Sequence, residues 1–521
     1  MRGIRLGIYL VLAAALALLV YAFISKEARP VPESDREIAW IHAATSGLLW
    51  ERFVGGIQRF EESPEGRAMG LRVDYDRAYL DQTAAVPDVV LSRAGSSQRL
   101  HIRWYKLTSS TDIAYWARVL SRRTPPPLAI IGGGSSDRAR DLARELHLAE
   151  RERGELTPLL LITTATADRV YLGDEHVEGH ELTRIYADRS FRCCFTNSQM
   201  AEALTAFLLS QPELRPHGPE SLMVGGVGQA LGGRVLAAAA NFVMGLPAPV
   251  FTIEWEDDPY SLDLAEHFRA ELRQRLPSRI VNQRVPYSTG DYFRPNTPES
   301  NAVSELAREL TAYPQQRPLL VLPAGDKPVR RVLRALAVEA PLEVRHSVAV
   351  TGDSINLDVI FRDRATSWNV QELPFPLVLF AHEDPVDWKP EWKEGGGQTW
   401  KGCSATHDLL LNAKIARLLV EAAWRDDSEG RLVLAATPEE LRTRLMALDP
   451  AFFDASGNRL RASGAYVVWL QPQFAQNRVL SRGVISVWSG RAAESPQGRQ
   501  WHWQRLKQWT VEYGSTAAPS S

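Results

Sequence analysis

The side chains with chemical potential gather where apolar runs stop. Gly132-Gly133-Gly134-Ser135-Ser136 follows the run Leu128–Ile131 and opens a helical pattern. Backbone N–H groups and hydroxyls at a helix start make an anion site, and Ser136 is equally suited to capping the helix; the two roles are compatible. No Gly-Lys-Ser/Thr follows, so this is not a nucleotide P-loop. Leu161-Ile162-Thr163-Thr164-Ala165-Thr166 ends a second run with three threonines. Their hydroxyls either face the crevice beyond a parallel strand or close a turn on their own backbone. A third run, Val348-Ala349-Val350-Thr351-Gly352, ends on Asp353 and Ser354.

Gly-Asp-Ser also marks hydrolases that use the serine as nucleophile with an Asp-x-x-His partner. Here His382, His407 and His502 are preceded at that spacing by Leu379, Ser404 and Arg499. No Gly-x-Ser-x-Gly elbow occurs either. The sequence therefore argues for a non-enzyme, with a hydrolase at Ser354 as the remote alternative. His176 and His180 are separated by a span that includes Gly179 and read as a surface loop, so no metal and no cofactor is expected. Gly226 to Gly232 misses the dinucleotide-loop spacing by one residue and reads as a turn. Cys193 and Cys194 read as a small buried pair, the alternative being a bridge from one of them to Cys403. Trp388, Trp392 and Trp400, in a polar Gly-rich stretch, suit either a cleft rim or packing.

Alternating strands and helices must position these groups. Residues 33–62 read as helix through Trp40, Leu48, Leu49, Phe53 and Ile57. Strand-like runs at 100–104, 128–131, 159–163 and 191–195 interleave with helical patterns at 111–120, 136–149 and 198–209, as in βαβ units. The proline-rich stretch 211–219 breaks the pattern and reads as a domain crossing. The alternation then restarts: strands at 250–255, 280–285, 319–322, 348–351 and 377–380, helices at 262–276, 299–310 and 329–336. A long helix at 406–424 and an extended stretch at 465–470 follow. The expected fold is α/β: two doubly wound parallel-sheet lobes with ligands outside the carboxyl ends of the strands.

With 521 residues, 45% of them hydrophobic, the chain has material for several cores. Its 60 basic and 62 acidic residues leave a formal net charge of −2, which argues against nucleic acid as a partner. Three cysteines exclude a disulfide scaffold. At the N-terminus Arg2 and Arg5 precede the uncharged stretch Leu6–Ile24. It is long enough for the roughly 20 helical residues that a bilayer core needs and lacks an A-x-A exit. This reads as one N-terminal transmembrane helix, with a cleaved signal as the alternative, a cytoplasmic N-terminus, and the main body on the periplasmic side. The second apolar stretch, 235–250, holds Asn241 and Pro247 and reads as a buried helix ending at Gly245.

The ordered segments IIGGGSSDRARDLA, LLLITTATADRV, RIYADRSFRCCFTNSQMAEALTAFL, PVFTIEWEDDPYSLDLAEHF, LLVLPAGDKPVRRVLRAL and VAVTGDSI, with the late turn Phe453 to Arg459, together resemble the type I periplasmic binding proteins. These include the solute-binding proteins of branched-chain amino acid ABC transporters. The resemblance covers residues 45–470 and rests on the order of the segments. It implies two lobes that close on a small ligand by a hinge, with a membrane permease as partner. It implies that Ser135, Ser136, Thr164 and Thr166 hold the carboxylate of an amino acid or amide, that Asp353 meets the ammonium, and that Tyr260 and Asp326 add second-lobe contacts. The stretch 212–249, read as an insertion, and the anchor depart from the family's pattern. The expected division is an anchor at 1–29, lobe one at 30–211 with 379–450, lobe two at 212–378 with 451–512, and a tail at 513–521. A sensor or scaffold that uses the same lobes to bind a partner protein is the alternative.

Overall fold

In the computed structural model residues 31–512 are described, except 172–178, 219–246, 289, 291–293, 313–315, 340–345, 356–372, 374, 386–405, 449–452, 455–456, 459–463, 476–477 and 496–497. The apolar stretches 6–24 and 235–245, the tail, His176, the 388–400 tryptophans and Cys403 lie outside these residues. Among the described residues no helix is long and apolar enough to cross a membrane.

The chain divides into two compact units: residues 1–165, 181–194 and 411–460 form one, and 166–180, 195–410 and 461–521 the other. The proline-rich stretch expected to be a crossing lies inside the second unit. There Arg317 donates to the Pro212 carbonyl and His217 bridges to Arg317. The chain passes between units next to strand ends instead, as at Ala165/Thr166 and Cys194/Phe195.

The first unit holds a seven-stranded sheet, in the order Leu71–Arg77, Asp88–Arg93, Arg99–Leu107, Arg36–Ala43, Ala129–Gly132, Leu159–Ile162 and Ser190–Arg192. The last five are parallel; the first two form an antiparallel edge. Residues 36–43, expected to be helical, form a strand, and the helix starts only at Gly47. The strand's six inner residues are all buried, so it shows no alternation for the eye to catch. Trp40 instead belongs to an aromatic cluster with Trp50, Phe53 and Trp104, at ring separations of 5.2, 6.1 and 5.4 Å. The helix Ser136–Arg153 begins immediately after the strand Ala129–Gly132 and its three-residue turn.

The second unit holds an eight-stranded sheet. Ser278–Val285, Ala248–Trp255, Leu319–Val321, Val348–Val350 and Leu377–Ala381 run parallel. The sheet is not purely parallel as expected: Gly464–Ala475, Arg478–Ser495 and Gly498–Glu512 continue it as an antiparallel meander. The meander's tryptophans cover the helix Asn197–Ser210. Trp488 and Trp503 stand edge-on to Phe207 at 5.5 and 5.0 Å, and Trp501 Nε1 donates to Glu202 at 3.3 Å. That helix belongs to the second unit, whereas the sequence assigned it to the first lobe.

Under the first sheet lies a buried charge network. Glu37 accepts from Tyr105 Oη at 2.5 Å and from Arg123 at 3.2 Å, with Arg103 3.7 Å away. Burial and the Glu37 charge push the Tyr105 phenol well above its ordinary range. Removing one member of such a network strands the others in low dielectric. Glu37→Ala is expected to cost about 3–5 kcal/mol, and Glu37→Gln less, read from the shift of the urea unfolding midpoint.

Candidate functional site

In each unit one strand marks the place where the chain reverses direction across the sheet. After Arg36–Ala43 the chain crosses to one edge and builds back to that strand; after Ala129–Gly132 it builds toward the other edge. The crevice beyond the carboxyl ends of these two neighbours is the switch point at which α/β sheets hold ligands. His42 ends the first strand, and Gly133 to Ser136 follow the second.

Gly133 has φ +96°, and a Cβ there would lie 2.6 Å from Ala139 Cβ. A Cβ on Gly134 would lie 2.7 Å from His42 Cε1. The two glycines therefore let the helix Ser136–Arg153 start hard against the His42 ring. Ser135 takes the N-cap position with no side-chain capping bond, and Ser136 is buried. Thr164 is exposed. Thr166 is buried and lies in the second unit, its carbonyl accepting from Asn197 N at 2.8 Å. A cavity of about 610 Å³ adjoins this edge, its lining including Ala43, Thr108 and Arg138.

In the second unit the neighbouring strands Val348–Val350 and Leu377–Ala381 end beside Asp353 and a residue the sequence reading passed over, His382, with Tyr260 against the turn at Gly352. Asp353 Oδ2 pairs with His382 Nε2 at 2.5 Å. The His382 ring packs against Phe195 and Phe380 at 5.8 and 5.6 Å. Its Nδ1 is buried and has no hydrogen-bond partner among the described residues. Tyr260 lies so close to Gly352 that a Cβ there would collide with its hydroxyl; burial, and next the Asp353 charge, push that phenol well up. Asp326 starts the helix Asp326–Glu339, and its carboxylate helps to raise Tyr287 after burial and Asp258. Ser354 Oγ donates to the Ala324 carbonyl at 2.6 Å.

A second cluster of the same unit joins Asp168, Asp263 and His267, whose ligand atoms lie within 4.8 Å of one another. Such spacing suits a cation, but the oxygens are already used. Asp263 accepts from Asp168 N at 2.8 Å, Arg169 N at 3.1 Å and Asn197 Nδ2 at 2.9 Å, and Asp168 accepts from Ser198 N at 2.8 Å. His267 Nε2 lies 3.3 Å from Asp168 and 3.5 Å from Asp263. Burial alone would lower its pKa; hydrogen bonds and charges from both carboxylates outweigh that and raise it to about 10. The cluster is an ionic clasp around an imidazolium. It fastens the segment at 168–169 and the start of the helix Asn197–Ser210 to the helix Pro259–Arg275.

Cys193 and Cys194 are buried, and Cys194 Sγ donates to the Ala165 carbonyl at 3.5 Å. His42 lies in the last two residues of a buried strand, and His382 just past the end of another. That position, rather than spacing to another acid, was the signal available in the sequence.

No family model matches the chain, and no curated protein does. Solved structures similar to it include a leucine-, isoleucine-, valine-, threonine- and alanine-binding protein from Brucella ovis in a closed conformation. It is 11% identical, covers 91% of this chain and 95% of its own, and has a TM-score of 0.48. An ABC transporter substrate-binding protein from Desulfitobacterium hafniense is 14% identical over 85% and 98%, with a TM-score of 0.46. A branched-chain amino acid ABC transporter protein from Thermus thermophilus with bound valine is 12% identical over 86% and 94%, with a TM-score of 0.45. The similar structures are thus substrate-binding proteins of ABC transporters. At these identities they establish no ligand for this chain.

The clasp has a pH signature. The folded pKa of His267 lies above its unfolded value of 6.5, so its stabilisation is complete below pH 6.5 and is lost as pH rises toward 10. Wild-type stability is expected to fall over that window, with a slope of at most about 1.4 kcal/mol per pH unit for one proton. In His267→Gln that component of the slope should vanish, as read from urea titrations at stepped pH.

Proposed function

We propose that this chain is a membrane-tethered, extracytoplasmic solute-binding protein that captures a small amino acid or amide for an ABC-type transporter. The observation that carries the reading is the switch point of the first unit. There an 18-residue helix starts with no side-chain cap, among hydroxyls and against a buried imidazole. Backbone N–H groups at such a start favour a carboxylate. In this reading Ser135, Ser136, Thr164 and Thr166 serve the carboxylate. Asp353, with one oxygen held by His382, offers the other to an ammonium group, a charge-assisted bond. Tyr260 and Asp326 add contacts from the second unit. Leu6–Ile24 is the tether, with Arg2 and Arg5 on the cytoplasmic side and the body on the periplasmic side. The partner is a membrane permease.

A binding protein is preferred to a hydrolase because the Ser354 hydroxyl is committed to a backbone carbonyl. A nucleophile needs a base within hydrogen-bond reach instead.

The test is thermal unfolding of the full-length chain against a library of amino acids, their amides and small metabolites. A ligand that binds only the native state adds about 2.7 kcal/mol at 100 times its Kd. Asp353→Asn and Ser136→Ala are each expected to weaken a hit at least about tenfold, the size of one lost hydrogen bond to a charged group. A library that raises the midpoint nowhere defeats the reading.

A further inference from the structure

We infer that the first unit holds a second ligand site, remote from its switch point: a cavity between the last turns of the helices Ile113–Ser121 and Ser136–Arg153 that takes the phosphoryl group of a small phosphate monoester, through arginine side chains and the hydroxyl of Ser121. The site stands independently of the receptor reading above.

Each of these helices carries the chain from the carboxyl end of one strand to the start of the next, so their last turns lie at the opposite end of the sheet from His42 and Gly134. A cavity of about 400 Å³ opens there. Sites for small molecules span roughly 300–1,000 Å³. Arg118, Arg122, Arg151 and Arg153 line it, against Glu145 and Glu152. Arginines in a last turn ordinarily answer the partial negative charge of the helix end, about half a charge each. Four guanidinium groups exceed the two glutamates and the two helix ends together. Only part of this charge is engaged. Arg122 pairs with Glu152 at 3.2 Å, and Arg153 Nη2 donates to the Arg123 carbonyl at 3.3 Å. Arg151 Nη2 lies 3.5 Å from His147 Nε2. Arg118 forms no ion pair among the described residues, and Arg153 Nε is buried with no hydrogen-bond partner among them.

Ser121 distinguishes this cavity from a solvated charged face. It is the last residue of its helix, it is 0% exposed, and it lines the cavity. Its Oγ has no hydrogen-bond partner among the described residues. A serine at a helix end ordinarily bonds back to the carbonyl one turn earlier, and a buried hydroxyl left unpaired calls for an occupant. The chemistry of that occupant follows from the donors. A phosphate monoester carries about 1.5 to 2 negative charges at pH 7 and three acceptor oxygens, and guanidinium forks fit it. Its oxygens can serve Arg118, Arg151 and Ser121 at once, whereas a carboxylate offers only two. Ala149 and the exposed Leu148 give the organic part an apolar side. A free metabolite and a phosphatidic acid headgroup present the same phosphoryl chemistry.

The experiment is isothermal titration of the full-length chain, at fixed ionic strength, with glycerol 3-phosphate, glycerol and dihexanoyl phosphatidic acid. Wild type should bind glycerol 3-phosphate and not glycerol. Arg118→Ala, at an exposed position, should lose at least about tenfold in affinity, the size of one lost hydrogen bond to a charged group, with its thermal midpoint unchanged. Arg118→Lys keeps the charge without the fork and should fall between the two. Ser121→Ala should weaken binding at least about threefold, while its midpoint without ligand stays level or rises because an unpaired buried hydroxyl is gone. Arginines that only offset helix ends would do the reverse: Arg118→Ala would lower the midpoint, and wild type would bind no monoester. Tighter binding of the phosphatidic acid than of glycerol 3-phosphate identifies a lipid headgroup as the source, and equal or weaker binding a free metabolite. No binding of either phosphate by wild type, or unchanged affinity in Arg118→Ala or in Ser121→Ala, overturns the site. The amino acid library tests the receptor reading separately, and neither result decides the other.

Discussion

A parallel strand covered by helices on both faces has only its ends to offer to solvent, and that constraint organises both units. The strands Ala129–Gly132, Leu159–Ile162 and Leu377–Ala381 are buried at every residue. Any group that is to meet a solute at the switch point must therefore sit just beyond the carboxyl end, where the next helix begins. His42, Gly134 and Ser135 in the first unit, and Asp353, Tyr260 and His382 in the second, all occupy that layer. The same constraint explains the glycines: a helix can start close to a neighbouring strand end only if the turn carries no side chain toward it. Gly133 and Gly134 meet that condition against Ala139 and His42.

Polar groups taken inside by this packing are mostly paid for by partners nearby. Glu37 is matched by Tyr105, Arg123 and Arg103, and His267 by two carboxylates. Both sets tie elements within one unit and use up their own donors and acceptors, which makes them structural. His42 Nε2 and His382 Nδ1 are among the buried polar atoms left outside such clusters. Each lies at a strand end, and each lacks a hydrogen-bond partner among the described residues.

Much of this was legible in the sequence, and the exceptions have physical causes. The βα alternation after residue 99 could be followed because each run is short, apolar and bounded by polar turns. The strand Arg36–Ala43 was taken for helix because burial on both faces removes the alternation that betrays a strand, and Trp40 and Phe53 happened to fall at helical spacing. The meander was underread although Trp501-His502-Trp503 alternates with period two. Its tryptophans serve a helix some 300 residues earlier in the chain, and such a distant partner leaves no local trace. Of the candidate residues, Asp353 stands out in the sequence by its place after an apolar run, which is a strand. His382 was set aside because it was tested only for the spacing of a catalytic dyad. Proximity of Asp353 to His382 depends on two strands being neighbours in the sheet, which no spacing rule contains.

The two strand-end layers differ in what they can recognise. The first unit offers N–H groups at a helix start, hydroxyls and the guanidinium of Arg138; all are donors. The second offers the Asp353 carboxylate, with one oxygen fixed by His382. Fixing that oxygen leaves the carboxylate oriented, so a cationic group must approach the remaining oxygen, and the aromatic wall of Phe195 and Phe380 keeps the imidazole from turning away.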